Sequence, residues 1–147
     1  MAGNRIYRGP VTSGWQPRTI SKPVTGALLP GSFVEETATN LVQLTTALAK
    51  LPMILSNLEF KDQDIATAYT TGDTGIAYHL EPGQVYQARV AAATYAKDAP
   101  LTIGASGRLT AATAATPVVA FFSDTPGAKS AGDLVDVVIA NTYTVPA

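Results

Sequence analysis

From residue 26 onward, short apolar runs alternate with turns rich in Gly, Pro, Asp and Thr. Residues 74–80 are the clearest case. Thr74, Ile76, Tyr78 and Leu80 alternate with Gly75, Ala77 and His79, the period of two that sets one strand face on a core and the other toward water. Pro82-Gly83 then turns the chain, because Pro pre-sets one central turn position and Gly supplies positive φ at the next. Tyr86, Ala88 and Val90 share a face of the following run. Phe33-Val34 after Pro30-Gly31, and Met53-Ile54-Leu55, predict further short strands. Leu101-Thr102-Ile103 and Arg108-Leu109-Thr110 flank Gly104-Ala105-Ser106-Gly107, a hairpin pattern. Residues 118–122 and 134–139 are the most apolar runs, which predicts central strands, with residues 124–133 as a loop between them.

Residues 41–51 fit two templates. Leu41, Leu44, Leu48 and Leu51 have helical spacing behind Asn40 as a cap, whereas Thr45-Thr46 favours strand and Pro52 stops any helix. The strand-and-loop reading stands slightly ahead. Alanine-rich residues 91–93 and 111–115 have helical composition, opposed by flanking Thr, Gly and Pro. Strands at intervals of about 8–15 residues predict an all-β fold. The expected form is a small single-domain β-barrel or sandwich, with a jelly roll among the options, preceded by an extended N-terminal arm.

At 147 residues the chain has room for one core and needs no covalent staple. It divides into residues 1–25, the arm, and residues 26–147, the β-rich domain. The arm holds Pro10, Pro17 and Pro23, which favour extended backbone at and before them. Its charge is +4, from Arg5, Arg8, Arg18 and Lys22, leaving six cations against eleven acids beyond it, a balance of −5. Tyr7, Trp15 and Ile20 are large apolar groups that call for cover. The segment therefore reads as one that docks, with Arg5, Tyr7, Arg8, Trp15, Arg18 and Lys22 as its contacts to a protein surface or a neighbouring subunit. Nucleic acid is a weaker reading, since four charges over some 18 residues beside an acidic body make a faint footprint. A solvated tail is the bland alternative.

Absence of cysteine removes disulfides and thiolate chemistry. No run approaches the ~18–20 apolar residues of a membrane span. The basic N-terminus has no apolar stretch behind it, which predicts no secretory signal and synthesis in a cytoplasm.

The candidates for chemistry are few. Asp73-Thr74-Gly75 is the tripeptide that presents the catalytic carboxylate in aspartic proteases, which need two such groups and would need a dimer here. Thr71 and Gly72 stand where apolar residues belong, so a turn feeding the next strand is the stronger reading. His79 is the only histidine and has no second ligand to complete a metal site. Asp62 and Asp64 lack the Gly and terminal Glu of a calcium loop. Residues 104–107 lack the Lys-Ser/Thr sequel of a phosphate loop. The expectation is no enzyme, no metal and no cofactor.

With those residues in view, the chain resembles the capsid decoration (cement) proteins of tailed bacteriophages. The likeness runs over about residues 26–140. It rests on Gly26-Ala27-Leu28-Leu29-Pro30-Gly31, Tyr69-Thr70-Thr71-Gly72-Asp73, Ala91-Ala92-Ala93, the segment 101–109 and the closing strand 134–140. The resemblance implies a compact β domain that clusters on the outside of an assembled head, as a trimer ahead of a dimer. It also implies bridging of neighbouring major capsid proteins and a place on the outer capsid surface of the virion. Another virion part, a head-fibre base or tail component, is the alternative.

Overall fold

A computed structural model describes residues 4–10, 17–48 and 50–145. Its strands are β1 (Tyr7–Gly9), β2 (Thr19–Pro23), β3 (Phe33–Glu36), β4 (Leu41–Gln43), β5 (Met53–Leu55), β6 (Thr74–His79), β7 (Val85–Arg89), β8 (Ala93–Tyr95), β9 (Pro100–Ile103), β10 (Leu109–Ala111), β11 (Pro117–Phe122), β12 (Gly127–Lys129) and β13 (Leu134–Thr144). They form a six-stranded sheet in the order β1-β7-β13-β11-β9-β10, a five-stranded sheet in the order β2-β6-β5-β3-β4, and a ribbon of β12 and β8. Every ladder is antiparallel. The two most apolar runs, β11 and β13, lie inside the larger sheet as expected.

Both large sheets curl back on themselves. Val24, just after β2, meets Leu41 at the start of β4 through one parallel bridge, and Val90, just after β7, meets Leu109 of β10 through another. One bridge is not a ladder, so neither sheet closes into a true barrel, and the barrel expectation is corrected to open, curled antiparallel sheets.

Two cores result. The larger draws on both sheets, with Phe33 and Ile54 from the five-stranded sheet packed among Tyr86, Ala88, Leu101, Leu109, Phe122 and Val137. The smaller lies inside the curl of the five-stranded sheet and gathers Val24, Val34, Leu41, Met53, Leu55 and Ala77, covered by Leu28, Leu58 and Tyr69 from the loops. Neighbours Phe33 and Val34 are both wholly buried because they face opposite cores. The same geometry explains why Met53-Ile54-Leu55 is apolar without a break.

Covering both faces also changes β6. Alternation predicts Ile76 and Tyr78 inward, yet Gly75 and Ala77 are the fully buried pair and Ile76 and Tyr78 are half-buried. The inside of a tight curl admits only small side chains. A Cβ on Gly75 would lie 2.4 Å from Val24 Cγ2 and 3.3 Å from Leu55 Cδ1. Gly75→Ala should therefore destabilise the fold by about 1–3 kcal/mol through overpacking. A urea midpoint equal to that of the wild type would show that the curl yields freely.

Of residues 41–51, those described are strand β4 followed by irregular chain at 44–48 and 50–51. Leu41 enters the smaller core and Leu44 the larger, while Leu48 and Leu51 are exposed, so the four leucines do not share the single face a helix would give them. Residues 93–95 and the loop 124–133 hold an unforeseen pairing, with Ala93↔Lys129 and Tyr95↔Gly127 in register. Each strand's hydrogen-bond partner is distant in sequence, which local composition does not signal.

Candidate interaction surface

The described parts of residues 1–25 are extended, and both lie in the sheets. Tyr7 pairs with Tyr86, Gln87 donates its backbone N–H to Ile6 O at 2.7 Å, and Ile6 is buried in the larger core. β2 makes a five-residue ladder with β6, from Thr19↔Tyr78 to Pro23↔Thr74.

The charge asymmetry is answered within the chain. Arg5 pairs with Glu59 at 3.4 Å, Arg8 with Asp136 at 3.4 Å and Lys22 with Glu36 at 2.7 Å. The Arg5–Glu59 pair is open to solvent and the Arg8–Asp136 pair partly so, and such pairs contribute little to stability. Lys22 does more, because its Nζ also donates to Thr37 O at 2.8 Å and Ala38 O at 3.1 Å, tying β2 to the β3–β4 turn across the seam of the curl. Asp136, the partner of Arg8, sits above the ordinary carboxylate range chiefly through burial, with Asp124 adding to the rise and Arg8 opposing it. Arg18 is exposed and makes no ion pair among the described residues. Trp15 lies outside the described residues.

Tyr7 packs edge-on against Tyr86 at 5.2 Å and tilted against Tyr78 at 6.0 Å, and its hydroxyl donates to Pro10 O. With Arg5, Glu59, Phe60, Ile76 and Tyr78 it lines a groove of about 350 Å³. Phe60 is 73% exposed. On another part of the surface Leu51, 72% exposed, borders a hollow of about 230 Å³ formed with Pro52, Leu80, Pro82, Val119 and Ile139.

The buried tyrosines give the fold an alkaline limit. Burial pushes the Tyr69 hydroxyl up to about 12, and burial is also the first cause of the rise at Tyr86. Above an unfolded value of about 10, the unfolded chain sheds these protons while the folded chain keeps them, so stability falls as pH rises. For Tyr69 the loss runs from about pH 10 to pH 12. Denaturation at pH 9, 10 and 11 should show it, and Tyr69→Phe should lessen the slope.

The residues considered for chemistry are otherwise engaged. Asp73 accepts the Thr70 N–H on its carboxylate at 2.9 Å and the Val24 N–H on its backbone oxygen at 2.8 Å, closing a turn. Asp64 accepts the Ala66 N–H at 2.8 Å, and Asp62 takes a left-handed φ of 54° after the short turn Glu59–Lys61. His79 is half-buried on β6 opposite Met53. Among the described residues no three His, Cys, Asp or Glu side chains are placed to hold a metal ion, and no helix is long and apolar enough to cross a membrane.

Arg89 carries a role that alternation hid. It falls on the β7 face expected to be outside, yet it is 9% exposed. Its Nε donates to Pro30 O at 2.7 Å, its Nη1 to Gly132 O at 2.8 Å and its Nη2 to Ile65 O, so one guanidinium ties three loops together. Burial first, and then nearby Arg108, pull its pKa down.

No family model matches the chain, and no curated protein does. The decoration-protein resemblance therefore has no family match beside it. Among solved structures, the chain is similar to the head fiber gp8.5 N base in bacteriophage phi29, with a TM-score of 0.58 and 12% identity over 85% of this chain and 95% of that chain. At that identity the likeness is one of fold.

Proposed function

We propose that this chain is a structural part of a bacteriophage virion, of the head-fibre-base type, seated on the outer surface of the head. The observation that carries this reading is the fold likeness to a head-fibre base over most of both chains. The engagement of Asp73, Asp64 and Arg89 in turns and loop ties, with no metal cluster among the described residues, fits a binding role rather than catalysis. The decoration reading rests on sequence texture alone and stands second. Both readings share their partners, the major capsid protein and further copies of this chain, with a trimer ahead of a dimer.

The segment 1–25 keeps a place in this proposal. Arg18 is the described cation there with no internal ion pair, and with Tyr7 and Trp15 it forms the contact set toward a neighbour. Arg5, Arg8 and Lys22 would have to exchange internal partners to join them.

Co-sedimentation of the full-length protein with expanded, undecorated heads tests the proposal. A fibre base saturates a limited set of positions and leaves the heat resistance of the shell unchanged. A decoration protein fills the lattice and raises that resistance, since ligands that bind only the intact shell stabilise it. Absence of binding by the full-length chain would remove both readings.

A further inference from the structure

A hollow of about 210 Å³ lies where the loop after residue 26 meets the β9–β10 turn, lined by Leu29, Ser32, Gln43, Arg89, Ser106 and Arg108. Two guanidiniums share it. They also share a neighbour: Arg89 Nη1 donates to Gly132 O at 2.8 Å, and a side chain on Gly132 would begin 3.7 Å from Arg108 Nη2. No carboxylate lies among the lining residues. Asp133, next to Gly132, spends its Oδ2 on the Ser130 N–H at 2.8 Å.

The donors here exceed their acceptors. A guanidinium carries five N–H groups, and Arg89 uses one on each of its three nitrogens, leaving two. The side chain of Arg108 makes no hydrogen bond or ion pair among the described residues, and neither does the Ser32 hydroxyl. Like charges brought together in a partly buried hollow repel unless an anion joins them. Burial lowers the Arg89 pKa first, and the charge of Arg108 lowers it further.

We infer that the Arg89–Arg108 hollow is an oxyanion site whose occupant is a carboxylate, supplied by an Asp or Glu side chain of a neighbouring virion protein. Arg108 has its whole planar fork free for a planar two-oxygen group, which guanidinium holds through paired hydrogen bonds, and Arg89 adds its two remaining N–H groups. The hollow has room for a single group rather than a polymer backbone. Beyond residue 25 the chain carries an excess of five negative charges, which disfavours a polyanion such as DNA. The carboxylate donor rests on the virion reading above; the oxyanion site does not.

The test is titration of the full-length protein with acetate, a blocked glutamate peptide, inorganic phosphate and duplex DNA at constant ionic strength in chloride. It is followed through the Nε–H signals of Arg89 and Arg108 and the amide of Ser106. Acetate and the peptide should give saturable shifts. Arg108→Gln should weaken both at least tenfold with an unchanged melting temperature, because the Arg108 side chain holds no internal hydrogen bond. No saturable shift, an equal shift in Arg108→Gln, or a response to phosphate or DNA without one to acetate would overturn the assignment. Head sedimentation then separates the two proposals. Loss of binding by Arg108→Gln supports the neighbouring carboxylate, and undiminished binding overturns that donor while leaving the virion reading intact. Failure of the wild type to bind heads removes the virion reading but does not touch the titration.

Discussion

Arg89→Met is expected to destabilise the protein by about 3–5 kcal/mol, the range for removing one partner from a buried, charge-assisted network. The methionine fills much the same space, so packing is largely kept. What is lost are the bonds to Pro30 O, Ile65 O and Gly132 O, two of which belong to buried residues and would be left without partners. Arg89→Lys should recover little, because an ammonium on a flexible stem cannot reach three carbonyls set around a planar fork. Urea denaturation at neutral pH measures both variants, with Arg108→Gln as the near-neutral comparison. A loss under about 1 kcal/mol in Arg89→Met would mean that water replaces the guanidinium at all three carbonyls.

Deleting residues 1–25 should have a larger effect still and leave a chain that does not fold cooperatively. The deletion removes Ile6 from one core and Val24 from the other, and strips β7 and β6 of their outer ladders. Ile6→Ala alone is expected to destabilise by about 2–5 kcal/mol, as large-to-small changes in tight cores do. Near-ultraviolet circular dichroism and amide dispersion of the truncated chain decide the matter. A well-dispersed spectrum would show that residues 26–147 hold their fold unaided. Binding studies are for the same reason better made with point substitutions, such as Arg18→Ala, than with truncations.

The strands of residues 26–147 were largely legible because turns and alternation are local signals. Pro82-Gly83 ends one run and starts another, and the hairpin around residues 104–107 has its register, Leu109↔Ile103, where its flanks predict. What escaped depends on distant partners. Prolines 10, 17 and 23 announce extended backbone correctly, but extended backbone is equally the conformation of a free arm and of a paired strand. Net charge has the same blindness: +4 beside −5 says that attraction exists, not that Glu59, Glu36 and Asp136 supply it. Alternation failed at Gly75, Ala77 and Arg89 because it presumes one wet face, and these strands are covered on both. As for the candidate site, Tyr7 and Arg5 are brought to one groove, whereas Arg89 and Arg108 carried no local mark.

The pairing of β1 with β7 sets a timetable. Tyr7 leaves the ribosome about 80 residues before its partner Tyr86, and β7's other neighbour, β13, follows later again. Ile6 and Tyr7 must wait exposed until that strand exists, and closing so long a loop comes before any reward from the contacts it makes. A strand made early is thus among the last to be secured, which places this chain with slow, non-local folders and makes the waiting β1 segment a natural client for chaperones.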